Sequence, residues 1–189
     1  MSCITGIAKN ITSDCTTHVS GGLEIEAWVF NRKEITITYS AVSGKENQIT
    51  DIAMVGAATG FKITGNKKLL NAGHDLVVAE DRPNKYTHHF MFQQFEFLTE
   101  DVRNVDDIDD VVIVVESKDK NDSGDGIFRV YGAKFGLWKA TDTHRDNDVN
   151  GARNIELASL GGQEEPYSRY VYLDTDYATS KAALEALLS

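Results

Sequence analysis

The sequence predicts a mainly β protein, an antiparallel β-sandwich or barrel accompanied by one short internal helix and one C-terminal helix. Three observations carry that prediction. Several segments alternate apolar and polar residues with period two, Val111 to Val115 is an unbroken β-branched run, and Gly, Asn, Asp and Ser punctuate the chain at short intervals. Short strands separated by turn residues fit a sandwich or barrel better than alternating βαβ units.

Residues 1–20, rich in Thr, Ser and Asp with isolated apolar side chains, read as an extended arm, and residues 21–189 as a single β-rich domain. After Gly21-Gly22, Leu23 to Phe30 alternates Leu23, Ile25, Ala27 and Val29 with Glu24, Glu26, Trp28 and Phe30, a strand. Glu34 to Ser40 repeats the period, with Ile35, Ile37 and Tyr39 opposite Thr36 and Thr38, and the short link Asn31-Arg32-Lys33 suggests a hairpin between the two. Further strands are expected at Gln48–Val55, Gly60–Thr64 and Asp75–Glu80, followed by one long strand over Tyr86–Phe97, where aromatic, His and Gln residues predominate. Thr99 then suits a helix N-cap, with Glu100 and Asp101 complementing the dipole and Val102, Val105 and Ile108 forming one stripe. The Val111–Val115 run predicts a central strand covered on both faces. Strands follow at Ile127–Tyr131, Lys134–Lys139, Ala152–Ala158 and Tyr167–Leu173, and Ser180–Leu188 forms the last helix, capped by Thr179 or Ser180.

At 189 residues the chain can enclose a real core, and 41% apolar with 25% charged residues is the balance of a globular protein. The longest strongly apolar run, Val111–Val115, is far short of the roughly 20 residues that cross a bilayer. The N-terminus shows no secretory pattern, so folding in a cytosol is expected, with Cys3 and Cys15 as free thiols although they could bridge. A formal net charge of −10 argues against gripping nucleic acid, which rests on clustered Lys and Arg.

The familiar catalytic and phosphate-cradling motifs are absent from the sequence, so no catalytic residue, cofactor or metal site is assigned and an enzyme is not expected. His88-His89 in one strand would point to opposite faces and could not chelate one ion, so both read as half-buried sheet histidines. The loops starting at Asp119 and Asp146 resemble the beginning of a calcium loop but place Val130 and Leu157 where a bidentate Glu is required, and solvated turns are the preferred reading. The acidic cluster Glu100, Asp101, Asp106, Asp107, Asp109 and Asp110 reads as the wet side of a helix.

From about Gly21 onward the chain resembles the major tail tube proteins of tailed bacteriophages and prophages of gut Bacteroidetes. The resemblance rests on Asn47–Ile52 before Gly60–Gly65, on Tyr86–Phe90, on Val111–Glu116, and most strongly on Ile127–Gly132 with Gly136-Leu137, Ile155–Ser159 and Asp174-Thr-Asp176 ahead of the final helix. Residues 1–20 and 66–80 depart from the pattern. The resemblance implies a structural virion protein, a homo-oligomer in which six copies close a ring around one continuous circular sheet and rings stack into a tube. Its partners would be other tail proteins, and phage DNA passing without specific binding. It would assemble in the host cytoplasm and reside in the virion tail. If the first hairpin lines the lumen, Glu24, Glu26, Thr36 and Thr38 would face it. A decoration or head–tail adaptor protein of similar fold, or a glycan- or calcium-binding module using the Asp119 and Asp146 loops, are the alternatives.

Overall fold

The structure, a computed structural model, describes residues 22–65, 69–80, 83–95, 97–121, 123–147 and 151–188. The expected arm at 1–20, with Cys3 and Cys15, lies outside the described residues. Strand occupies 46% of the chain and helix 14%, which makes it mainly β. The elements are β1 (Leu23–Asn31), β2 (Ile35–Tyr39), β3 (Gln48–Met54), β4 (Phe61–Thr64), β5 (Asn71–Val77), β6 (Lys85–Gln94), α1 (Thr99–Asp106), β7 (Val111–Ser117), β8 (Phe128–Tyr131), β9 (Trp138–Thr143), β10 (Arg153–Ala158), β11 (Tyr170–Tyr172) and α2 (Tyr177–Ala186). They form a seven-stranded sheet, β2-β3-β11-β8-β7-β1-β4, and a four-stranded sheet, β5-β6-β10-β9. Every pairing between these strands is antiparallel except β11 with β3.

The larger sheet has a hydrophobic cluster on each face. Trp28, Phe30, Val112, Val114, Phe128, Val130, Tyr170 and Tyr172 point one way, and α2 covers them with Leu184. Ala27, Val29, Val111, Ile113 and Val115 point the other way, against Phe90, Phe92, Ile155 and Leu157 of the small sheet. β7 is buried at every residue, as its β-branched run predicts.

The expected β1–β2 hairpin does not form. β1 pairs with β7 and β4, whereas β2 pairs with β3. Because β1 carries buried apolar side chains on both faces, it belongs inside a sheet with cover on each side. Beyond it, the 3-10 turn Arg32–Glu34 is held by Asp110, which accepts from Arg32 Nε at 2.6 Å and Nη2 at 2.9 Å. β2 stands five positions from β1 in the sheet order, about 24 Å if the sheet were flat. The link from Asn31 to Ile35 reaches at most about 14 Å. The sheet therefore curls, without closing into a barrel, and its concave side encloses the Trp28 cluster. Gly60 sits where α2 meets that curl: its N–H bonds the Leu187 carbonyl at 2.7 Å, and a side-chain carbon there would collide with the Phe30 ring.

Other boundaries shift for tertiary reasons. β5 begins at Asn71 because it pairs with β6 all the way from Asn71–Met91 to Val77–Lys85, and β6 ends at Gln94 where β10 begins. β9 starts at Trp138 rather than Lys134, since the amides of Lys134 and Phe135 are bound by the Glu165 carboxylate. Thr99 is the first residue of α1 and not its cap; Leu98 occupies the cap position and its carbonyl accepts from Val102. α2 begins three residues early, at Tyr177, with Asp176 as the cap accepting from Thr179 N at 2.8 Å.

Candidate functional site

Glu24, Glu26, Thr36 and Thr38 do not share a surface. Glu24 pairs with Lys120 at 3.0 Å and Glu26 with Lys62 at 3.4 Å, and Lys62 also reaches Glu185 of α2 at 2.8 Å. Both glutamates thus lie on the helix-covered side of β1. Thr36 and Thr38 are exposed and oppose Ile35 and Ile37, which pack into the Trp28 cluster, so the two threonines face away from it.

The buried polar groups stitch the two sheets together. His88 is fully buried; its Nδ1 accepts from Gly132 N at 3.1 Å, which leaves the Nε2 hydrogen to donate to the Tyr167 carbonyl at 2.8 Å. Burial pushes its pKa down to about 4, so the ring is neutral. Glu165, also fully buried, accepts from Lys134 N, Phe135 N and the Tyr170 hydroxyl, and burial pushes its carboxyl up despite those bonds. The 132–136 turn is thereby fixed from both sides. Glu116 is a third buried polar group. Burial opposes its charge, but hydrogen bonds from Lys120, Tyr177 and Lys181 outweigh that and hold its pKa below the usual range. These arrangements locate backbone and helix; none of them opens a substrate pocket beside a nucleophile.

The acidic cluster is divided in use. Asp110 binds Arg32, and Asp106 together with Asp142 binds Arg153, tying α1 to the small sheet. Glu100, Asp106, Asp107 and Asp109 are exposed, as a wet side requires, and Asp110 is the buried exception. In the Asp119 loop, Asn121 and Ser123 hydrogen-bond each other and the Asp125 backbone, the pattern of a self-contained turn. Residues 148–150 of the Asp146 loop lie outside the described residues.

The small sheet has one face on the core and one uncovered. On the uncovered side stand Asn71 and Asp75 of β5, Thr87, His89 and Gln93 of β6, Asn154 and Glu156 of β10, and Thr141 and Thr143 of β9. A polar line crosses all four strands: Asp75 lies 3.2 Å from His89 Nε2, His89 Nδ1 lies 3.0 Å from Glu156, and Thr141 donates to Glu156 at 3.4 Å. His88 and His89 do point to opposite faces, as alternation requires. His89 Nδ1 is hydrogen-bonded to Glu156, whereas Nε2 lies near Asp75 without a hydrogen bond, so the two carboxylates stand at different nitrogens and the trio does not converge on one ion. The outer strands have one free edge each: among the described residues β5 pairs only with β6, and β9 only with β10. Among the described residues Lys85 is the one cation at an outward position, at the end of β6 and 3.8 Å from Glu164. Sequence reading missed this surface because its members come from four strands; the Thr87, His89, Gln93 alternation was its only trace. No family model, curated protein or solved structure matches this chain.

Proposed function

We propose that the chain is the tail tube subunit of a bacteriophage, a structural virion protein whose copies close into rings, six per ring, that stack into a conduit for DNA. The observation that supports this reading is the small sheet, with two free edges among the described residues and an uncovered, mostly polar face that includes Asp75 and Glu156 as well as Met91. Joining β5 of one copy to β9 of the next continues the sheet and satisfies both edges, which otherwise invite uncontrolled pairing. Four strands from each of six copies, spaced about 4.8 Å, give a circumference of about 115 Å and a backbone diameter of about 37 Å, which leaves room for a duplex inside the side chains. Asp75 and Glu156 make that wall weakly anionic, so phosphates slide past without adhering. The sequence resemblance and the net charge of −10 support the same reading. Electron microscopy of the purified chain tests it: stacked hollow rings are expected, and a strict monomer across protein and salt concentrations overturns it.

A further inference from the structure

β5, β6, β10 and β9 alternate in direction, because each neighbouring pair is antiparallel. β5 and β9 therefore run oppositely, and in a ring of copies related by rotation the β5 of one meets the β9 of the next as an antiparallel pair. The backbone groups at the two edges also match. The His88 carbonyl accepts from Ser159, the residue after β10, so inward-facing residues of β6 turn their backbone groups toward β10 and outward-facing ones toward β5. Asn71, Gly73 and Asp75 accordingly face β6, while Ala72, His74 and Leu76 present theirs at the edge that is free among the described residues. By the same alternation Thr141 and Thr143 are bonded to β10, and Asp142 is presented at the free edge of β9.

The polar line on the outer face points to the register of that pair. From Asp75, opposite Thr87, it passes to His89 two residues on. It continues to Glu156, which stands opposite Met91, a further two residues on, and ends at Thr141 directly across from Glu156. Asp75, 82% exposed, closes the line at one edge and the exposed Thr141 at the other. Placing Thr141 of one copy opposite Asp75 of the next staggers successive copies by four residues, about 14 Å along the strand over the about 19 Å width of four strands. The strands then tilt about 35° from the ring axis, within the range of about 35–45° at which sheets close into barrels. A register two residues off in either direction gives about 20° or about 47°, outside that range. The tilt widens the ring from about 37 Å to about 45 Å.

We infer that Asp75 of one copy stands directly opposite Thr141 of the next, so that the polar lines of all copies join into one belt around the conduit. The Thr141 hydroxyl then lies between Glu156 and the neighbouring Asp75 and can donate to either. The same register sets His74 against Asp142, an imidazole facing a carboxylate, and Leu76, 53% exposed, against Ala140. The inference rests on the tube reading and adds the register of its lateral joint. Cross-linking in the full chain tests it, with Cys3 and Cys15 changed to Ser so that only introduced thiols react. Asp75→Cys with Thr141→Cys puts two thiols on a directly opposed pair, whose α-carbons about 4.5 Å apart are within disulfide reach. Tubes assembled under reducing conditions and then oxidised should give a ladder of covalent multimers on a non-reducing gel, and Asp75→Cys with Thr143→Cys at least tenfold less. A ladder from the Thr143 pair alone, or oxidised tubes of the Thr141 pair that run as monomers, overturns the register and leaves the tube reading intact. Thr141→Asp decides the matter where the thiol variants do not assemble. It sets a carboxylate against Asp75 and should cut the sedimentable tube fraction at least tenfold while circular dichroism stays native, and adding Asp75→Lys should restore it. Unchanged sedimentation, or a loss that Asp75→Lys does not rescue, overturns the pairing. A wild-type chain that never assembles overturns both readings.

Discussion

The two faces of β6 carry opposite instructions from neighbouring residues. On the inner face, His88, Phe90 and Phe92 are buried against the large sheet, and the one polar member is neutral and hydrogen-bonded through both ring nitrogens. On the outer face, Thr87, His89, Met91 and Gln93 stand on the uncovered side of the sheet, and the histidine lies between two carboxylates. The same residue type, one position apart, serves the fold on one side and is available to a partner on the other. Stability should therefore be concentrated on one face, and whatever the protein does with its surroundings on the other.

The sharpest contrast is between Phe90 and Met91. Phe90→Ala removes a fully buried ring that packs against Phe92 at 5.9 Å, and should cost about 3–5 kcal/mol in urea unfolding. Met91→Ala, at a side chain 43% exposed, should cost less than about 1 kcal/mol. Equal losses would break the division between the faces.

Next in size is a pH effect confined to the inner face. The pKa of His88 is about 4 in the folded chain against the ordinary histidine value of 6.5, so below pH 6.5 the unfolded chain takes up the proton first. Its contribution is complete above pH 6.5 and is lost as pH falls toward 4, by about 3 kcal/mol. Glu165 acts in the opposite sense, because burial raises its pKa and the folded chain holds its proton more tightly. Unfolding free energies measured from about pH 7 to 4 should accordingly show a flatter acid slope in His88→Gln and a steeper one in Glu165→Gln. Slopes identical to wild type in both variants would contradict the buried, neutral assignment of His88.

What the sequence made legible follows from the range of each interaction. β7 could be read because five consecutive β-branched residues leave no polar face, and β6 because its β-formers run without a breaker. The partner of β2 could not, since the turn that redirects it depends on Arg32 meeting Asp110, 78 residues away. The start of α2 was misplaced because Tyr177 is drawn into the helix beside Glu116, 61 residues earlier. The polar line on the outer face was hidden for the same reason: His89 and Glu156 are 67 residues apart, and no spacing along the chain announces a contact made by strand register.

The smallest effect on stability belongs to the outer face, and it bears most directly on function. Asp75 is 82% exposed and Glu156 is only half-buried, so Asp75→Lys with Glu156→Lys should change the unfolding free energy by less than about 1 kcal/mol. If this face lines the conduit, the same change turns an anionic wall cationic around the whole ring. Assembled tubes of the variant should retain labelled duplex DNA at about 50 mM salt and release it at about 500 mM, because phosphate binding to lysine weakens steeply as counterions accumulate. Wild-type tubes should retain none at either concentration. Variant tubes that ignore DNA at low salt would put the wall elsewhere, and the exposed Thr36 and Thr38 side of the large sheet would then be the next surface to reverse.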